Sequence, residues 1–129
     1  MQRLGASPPD PVVSELRQPP GVTAFGAGGF RIDDKRYEGP VLILADQVLA
    51  WSGDLTPEAF ADVVAADRAM VEFVLLGLGV EMRPPPRPLR DHMQAHALGL
   101  EVMTTVEAVR LYNVLAREGR RIALALVPV

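Results

Sequence analysis

Cysteine is absent from the 129 residues, which removes disulfides, thiolate metal sites, iron–sulfur clusters and a cysteine nucleophile together. Serine is scarce. Ser7 and Ser14 lie in a proline-rich start, and Ser52, in Trp51-Ser52-Gly53-Asp54, lacks the G-x-S-x-G elbow and has no base beside it. That segment reads as a turn, with Trp51 as a core or rim aromatic. Excess positive charge is missing too: 13 basic against 16 acidic residues give −3, so nothing resembles a broad footprint for phosphate backbones, and nucleic-acid binding is not expected. Only Lys35 among the basic residues is lysine, which reads as a bias of the source genome. Apolar runs such as residues 41–45 and 73–76 fall far short of the ~18 residues a membrane-spanning helix needs. Met1 to Pro20 holds five prolines with Asp10 and Glu15 interspersed, unlike a secretory signal or an Arg-rich presequence. The expected address is the cytoplasm.

What is present is apolar. Hydrophobic residues make up 49% and charged residues 22%, enough to offset the entropy of folding in one domain. Residues 1–20 read as a flexible arm, because clustered prolines remove backbone donors. The domain is expected over 21–129. Short extended runs then alternate with glycine- and aspartate-bearing turns: Val22–Phe25, Phe30–Ile32, Arg36–Glu38, Val41–Leu44 and Val48–Trp51, an antiparallel meander.

The punctuation changes at Thr56-Pro57-Glu58, an N-cap, a proline at the first helical position and an acid in the first turn, predicting a helix over 57–66. Residues 71–76 are nearly all apolar, as in a strand covered on both faces, with Gly77 and Gly79 ending it. A proline-rich lead-in predicts a second helix over 88–97, and 100–103 a short strand. Thr104 and Glu107 have capping-box spacing, predicting a third helix to Glu118, with Ala108, Leu111, Tyr112 and Leu115 as its apolar stripe. Residues 120–127 close the chain as a buried strand. The fold class is α/β: a single-domain sandwich, an N-terminal antiparallel β-meander followed by a β-α-β-α-β unit, with helices packed on a mixed sheet.

No complete catalytic constellation emerges from these residues. The cluster Gly26, Gly28 and Gly29 is not G-x-G-x-x-G and precedes a strand, so it reads as a hairpin turn. Gly77 and Gly79 follow a buried strand and precede a helix whose start carries Arg83, Arg87 and Arg90. Ligands of open α/β sheets bind beyond such strand ends, so these five residues are candidates for a carboxylate or phosphate. Their bland reading is a turn with solvated arginines. His92 and His96 stand one helical turn apart, half of a zinc motif, but Met93 occupies the glutamate's place and no third histidine exists. Half-buried histidines beside the sheet are the simpler reading, and neither metal nor cofactor is expected. Arg110, Asn113 and Arg117 fall together off the apolar stripe, and Asn113 reads as solvated.

Six segments in order carry a resemblance. Gly28-Gly29-Phe30-Arg31-Ile32, Tyr37-Glu38-Gly39, the run 75–79, the run 99–103, Tyr112-Asn113-Val114-Leu115 and Glu118-Gly119-Arg120-Arg121 together resemble the Mth-type domain family of unknown biochemical function. That family includes mitochondrial complex I assembly factor three and the adipogenesis-associated Mth-domain protein. The resemblance covers about residues 21–129 and implies an α/β sandwich, no established catalytic residues, and a bacterial protein built like chaperones of respiratory-complex assembly. The family commonly has threonine where Leu111 stands. The resulting expectation is a non-enzymatic protein-interaction module whose partners are respiratory-complex subunits, with self-association left open. Its contacts are expected at Gly28, Gly29, Phe30, Arg31, Tyr112 and Asn113. The alternative is an anion- or small-molecule-binding domain, even an unrecognised enzyme, using the loop 77–90.

Overall fold

Positive backbone angles shape the hairpins of the first sheet. The computed structural model describes residues 19–129, so most of the expected arm lies outside the described residues. Strands β1 (Val22–Gly26), β2 (Gly29–Ile32) and β3 (Lys35–Glu38) form a three-stranded antiparallel sheet. Its two hairpins turn at Ala27-Gly28 (φ 54° and 81°) and Asp33-Asp34 (φ 49° and 69°), the paired left-handed conformation that matches the twist of adjoining strands.

The expected meander does not stay in one sheet. Strands β4 (Val41–Leu44) and β5 (Gln47–Ala50) form a hairpin that joins a second, five-stranded sheet in the order β5-β4-β8-β6-β7, with β6 Phe73–Leu78, β7 Gly99–Met103 and β8 Ile122–Val127. Strand β4 runs antiparallel to β5 and β8, whereas β6 is parallel to both β7 and β8. The sheet is therefore mixed, and the fold is a single α/β domain.

Thr56 caps as its sequence suggests, its hydroxyl accepting from the Ala59 amide at 3.3 Å. The helix it opens is shorter and tighter than expected: a 3₁₀ turn at Pro57–Phe60 and then α1, Ala61–Ala65. Arg68 ends it by donating from Nη2 to the carbonyls of Val63, Val64 and Ala66. Helix α2 (Arg87–Ala95) connects β6 to β7, and α3 (Thr105–Arg117) connects β7 back to β8. These crossovers step along the sheet in opposite directions, so two connections of one hand put their helices on opposite faces.

The two faces bury two cores. Side chains alternate across each strand: Val41, Ile43, Leu75, Leu124 and Leu126 meet α3 and the small sheet, with Phe30, Ile32 and Tyr112. Leu42, Val74, Leu76, Ala123 and Ala125 meet α1 and α2, with Trp51, Phe60, Leu89 and Met93. Trp51 is thus a core residue, its ring 5.5 Å from that of Phe60. Gly77 does not end β6 but lies within it. A Cβ there would stand 2.9 Å from Leu126 Cδ2 and Thr105 Cα and 3.1 Å from Ala108 Cβ, so its bare backbone is what lets α3 lie against the sheet.

Candidate functional site

The end of β6 is tied to α3. The Gly79 amide donates to Thr105 Oγ1 at 2.8 Å, and the Thr105 hydroxyl donates to the Val127 carbonyl at 2.7 Å. The Gly79 carbonyl accepts from the Thr105 amide at 2.9 Å. Thr105 is fully buried and joins β6, β8 and α3 at one point. Gly77 and Gly79 are buried there, whereas Arg83, Arg87 and Arg90 are exposed. Arg87 lies 3.9 Å from Asp91 on its own helix, and Arg90 lines a cleft of about 440 Å³ with Met82, Pro84, Pro85, Leu98 and Leu100. The five residues are not gathered into one concavity.

The hairpin and α3 candidates do converge, and they do so by fastening the chain. Phe30 is fully buried, and Arg31 is exposed, donating to the Asp34 carbonyl at 3.3 Å. Gly28 donates to the Val129 carbonyl at 3.3 Å. Gly29 packs so closely on β3 that a Cβ would meet the Tyr37 carbonyl at 2.5 Å. The buried Tyr112 hydroxyl donates to the Pro20 carbonyl at 2.8 Å, and burial, with Asp33 nearby, pushes the phenol far above its ordinary pKa. Asn113 is not solvated. Its Nδ2 donates to the Val22 carbonyl at 2.9 Å and its Oδ1 accepts from the Val22 amide at 3.2 Å, so one side chain holds β1 as a neighbouring strand would. Beside it opens a cleft of about 390 Å³ lined by Pro19, Pro20, Thr23, Asp33 and Arg117.

His92 is half-buried and His96 exposed, with ring centroids 4.6 Å apart. Among the described residues no group of three His, Asp or Glu side chains is placed to hold a metal ion. The residues that sequence reasoning missed lie along β7, an edge strand. A second cleft, of about 660 Å³, is lined by Met82, Val102, Met103, Thr104, Glu107 and Leu111. Leu111, expected in the apolar stripe, is 37% exposed; Val109 and Ala116 are buried in its stead. Met82 at 60% and Val114 at 50% are exposed as well. One signal was available: Glu101 interrupts an otherwise uncharged strand.

Residues 22–127 match the protein family of unknown function DUF498/DUF598. The chain belongs to that family. A relative of this DUF498/DUF598 domain, an uncharacterised protein of Rhodobacter capsulatus, is 36% identical over 110 residues, covering 83% of each chain. The NADH dehydrogenase [ubiquinone] 1 alpha subcomplex assembly factor 3 of Drosophila melanogaster is 26% identical over 113 residues, covering 83% of this chain and 58% of that protein. The chain thus spans about three fifths of the assembly factor it matches. Among solved structures, an outer membrane protein of Bartonella henselae superposes with a TM-score of 0.78 at 28% identity, over 87% of this chain and 97% of that one. The expected family and α/β architecture both stand. Among the described residues, no helix of this DUF498/DUF598 domain is long and apolar enough to cross a membrane.

Proposed function

We propose that this domain is a non-enzymatic protein-interaction module that assists assembly of a membrane-bound respiratory complex from the cytoplasmic side. The observation that carries the reading is the similarity to a complex I assembly factor over 83% of the chain. The disposition of its side chains supports it. Thr105, Tyr112, Asn113 and Arg68 all face backbone partners within the fold, while Met82, Leu111 and Val114 face solvent, as in adaptable docking surfaces.

Deleting the gene in the source organism and resolving its membranes on native gels tests the reading. Assembled, NADH-oxidising complex I should fall severalfold, with subassemblies accumulating, and return when the gene is restored. Undiminished complex I in the deletion strain overturns it.

A further inference from the structure

The geometry points to β7 as a docking edge that receives an extended, basic segment of a partner protein as a sixth strand. The inference rests on the interaction-module reading and names its surface. The Gly99 amide donates to the Glu72 carbonyl at 3.1 Å. Alternate residues of a parallel strand bond to the same neighbour, so Gly99, Glu101 and Met103 turn their backbone groups to β6. Those of Leu100 and Val102 turn outward, and no hydrogen bond to them is formed among the described residues.

Both faces of this edge are hollow. The cleft of about 440 Å³ lies on the α2 face and that of about 660 Å³ on the α3 face, and Met82 and Val102 line both. An added strand projects its side chains alternately to the two faces. On the α2 face they would meet Pro84, Pro85, Leu98 and Leu100 with Arg90 and Gln94 alongside, which suits apolar groups and disfavours cations there. On the α3 face they would meet Met103 and Leu111 with Glu107 at the rim, and Glu101, which shares the parity of Met103 and is exposed. That face suits cations with apolar stems, such as lysine and arginine.

Charge also decides between a partner and a second copy. Two β7 edges pairing antiparallel through Leu100 and Val102 would set Glu101 opposite Glu101, with Cα atoms about 4.5 Å apart. Like charges directly opposite are destabilising, so the edge is built against itself and for a basic strand.

The test uses the full chain, isotope-labelled, with the peptide acetyl-Lys-Val-Lys-Leu-Lys-Val-Lys-amide as probe. The expected result is at least tenfold slower hydrogen exchange at the Leu100 and Val102 amides. N-methylating alternate peptide amides should abolish binding in one parity and leave it within twofold in the other. Glu101→Lys, shown by circular dichroism to be folded, should bind at least tenfold more weakly. Unchanged exchange at Leu100 and Val102, equal binding of both methylated parities, or undiminished binding by Glu101→Lys each overturns the proposal. In the deletion strain, full rescue of complex I by Glu101→Lys rejects this docking edge alone, whereas undiminished complex I without the gene rejects the assembly reading and leaves the peptide result to judge the edge.

Discussion

Tyr112 and Asn113 are adjacent, yet they hold two successive stretches of backbone some ninety positions earlier: the Pro20 carbonyl and both polar groups of Val22. Removing one partner of a buried hydrogen bond exposes the desolvation cost of the other. Tyr112→Phe should therefore lower stability by about 1–2 kcal/mol and Asn113→Ala by about 1–3 kcal/mol, read as a lower urea midpoint at unchanged slope. Faster hydrogen exchange in Asn113→Ala should centre on β1, which identifies the loss as release of that strand. Gly77→Ala fails for a different reason. Its Cβ would press on Thr105 and Ala108 of α3 from 2.9 and 3.1 Å, and the forced shift should cost about 1–3 kcal/mol, seen in the same denaturation experiment. Asn113 was illegible in the sequence because its helical neighbours Arg110 and Arg117 are exposed. What gives it a role is a strand whose approach no local pattern encodes.

At the scale of elements, caps and periodicities were legible because their physics is local. Thr104 accepts from the Glu107 amide at 3.3 Å, and Glu107 Oε1 accepts from the Thr104 amide at 3.1 Å and its hydroxyl at 3.0 Å, as the spacing of the two residues predicts. These bonds, the backbone one first, hold the Glu107 carboxyl below its ordinary pKa. A lowered folded-state pKa gives stability that is present above the unfolded carboxylate value and is lost as pH falls through the folded one. Glu107→Gln can still accept from Thr104 but carries no charge. The stability difference between wild type and Glu107→Gln should be largest near neutrality and shrink below about pH 4. Thermal melts across that range check it, and a constant difference counts against a charged cap. Partner choice among the hairpins was not legible. The turns at residues 27–28, 33–34 and 45–46 look alike to local chemistry, yet β4 and β5 leave β1–β3 and pair with β8. That choice is made by Val41 and Ile43 facing Leu124 and Leu126 in one core, a contact across about eighty residues.

For the molecule as a whole, the five-stranded sheet is covered on both faces and left open at its ends. Edges with free backbone groups template further pairing, and inward or edge-placed charge is the usual protection. Strand β7 has one charged residue, Glu101, between Leu100 and Val102, at the centre of the symmetric pairing that joins Leu100 of one copy to Val102 of the other. Glu101→Val replaces a repelling pair by a β-branched one suited to a strand. It should leave the fold intact, since the position is exposed, and raise self-association at least tenfold, measured by sedimentation equilibrium over a concentration series. Leu100 and Val102 amides should gain protection from exchange as the dimer fills. If Glu101→Val associates no more than wild type, that carboxylate is not what keeps two edges apart. The preference of β7 for a foreign strand would then have to come from the shape of its two clefts, with Met82 spanning both.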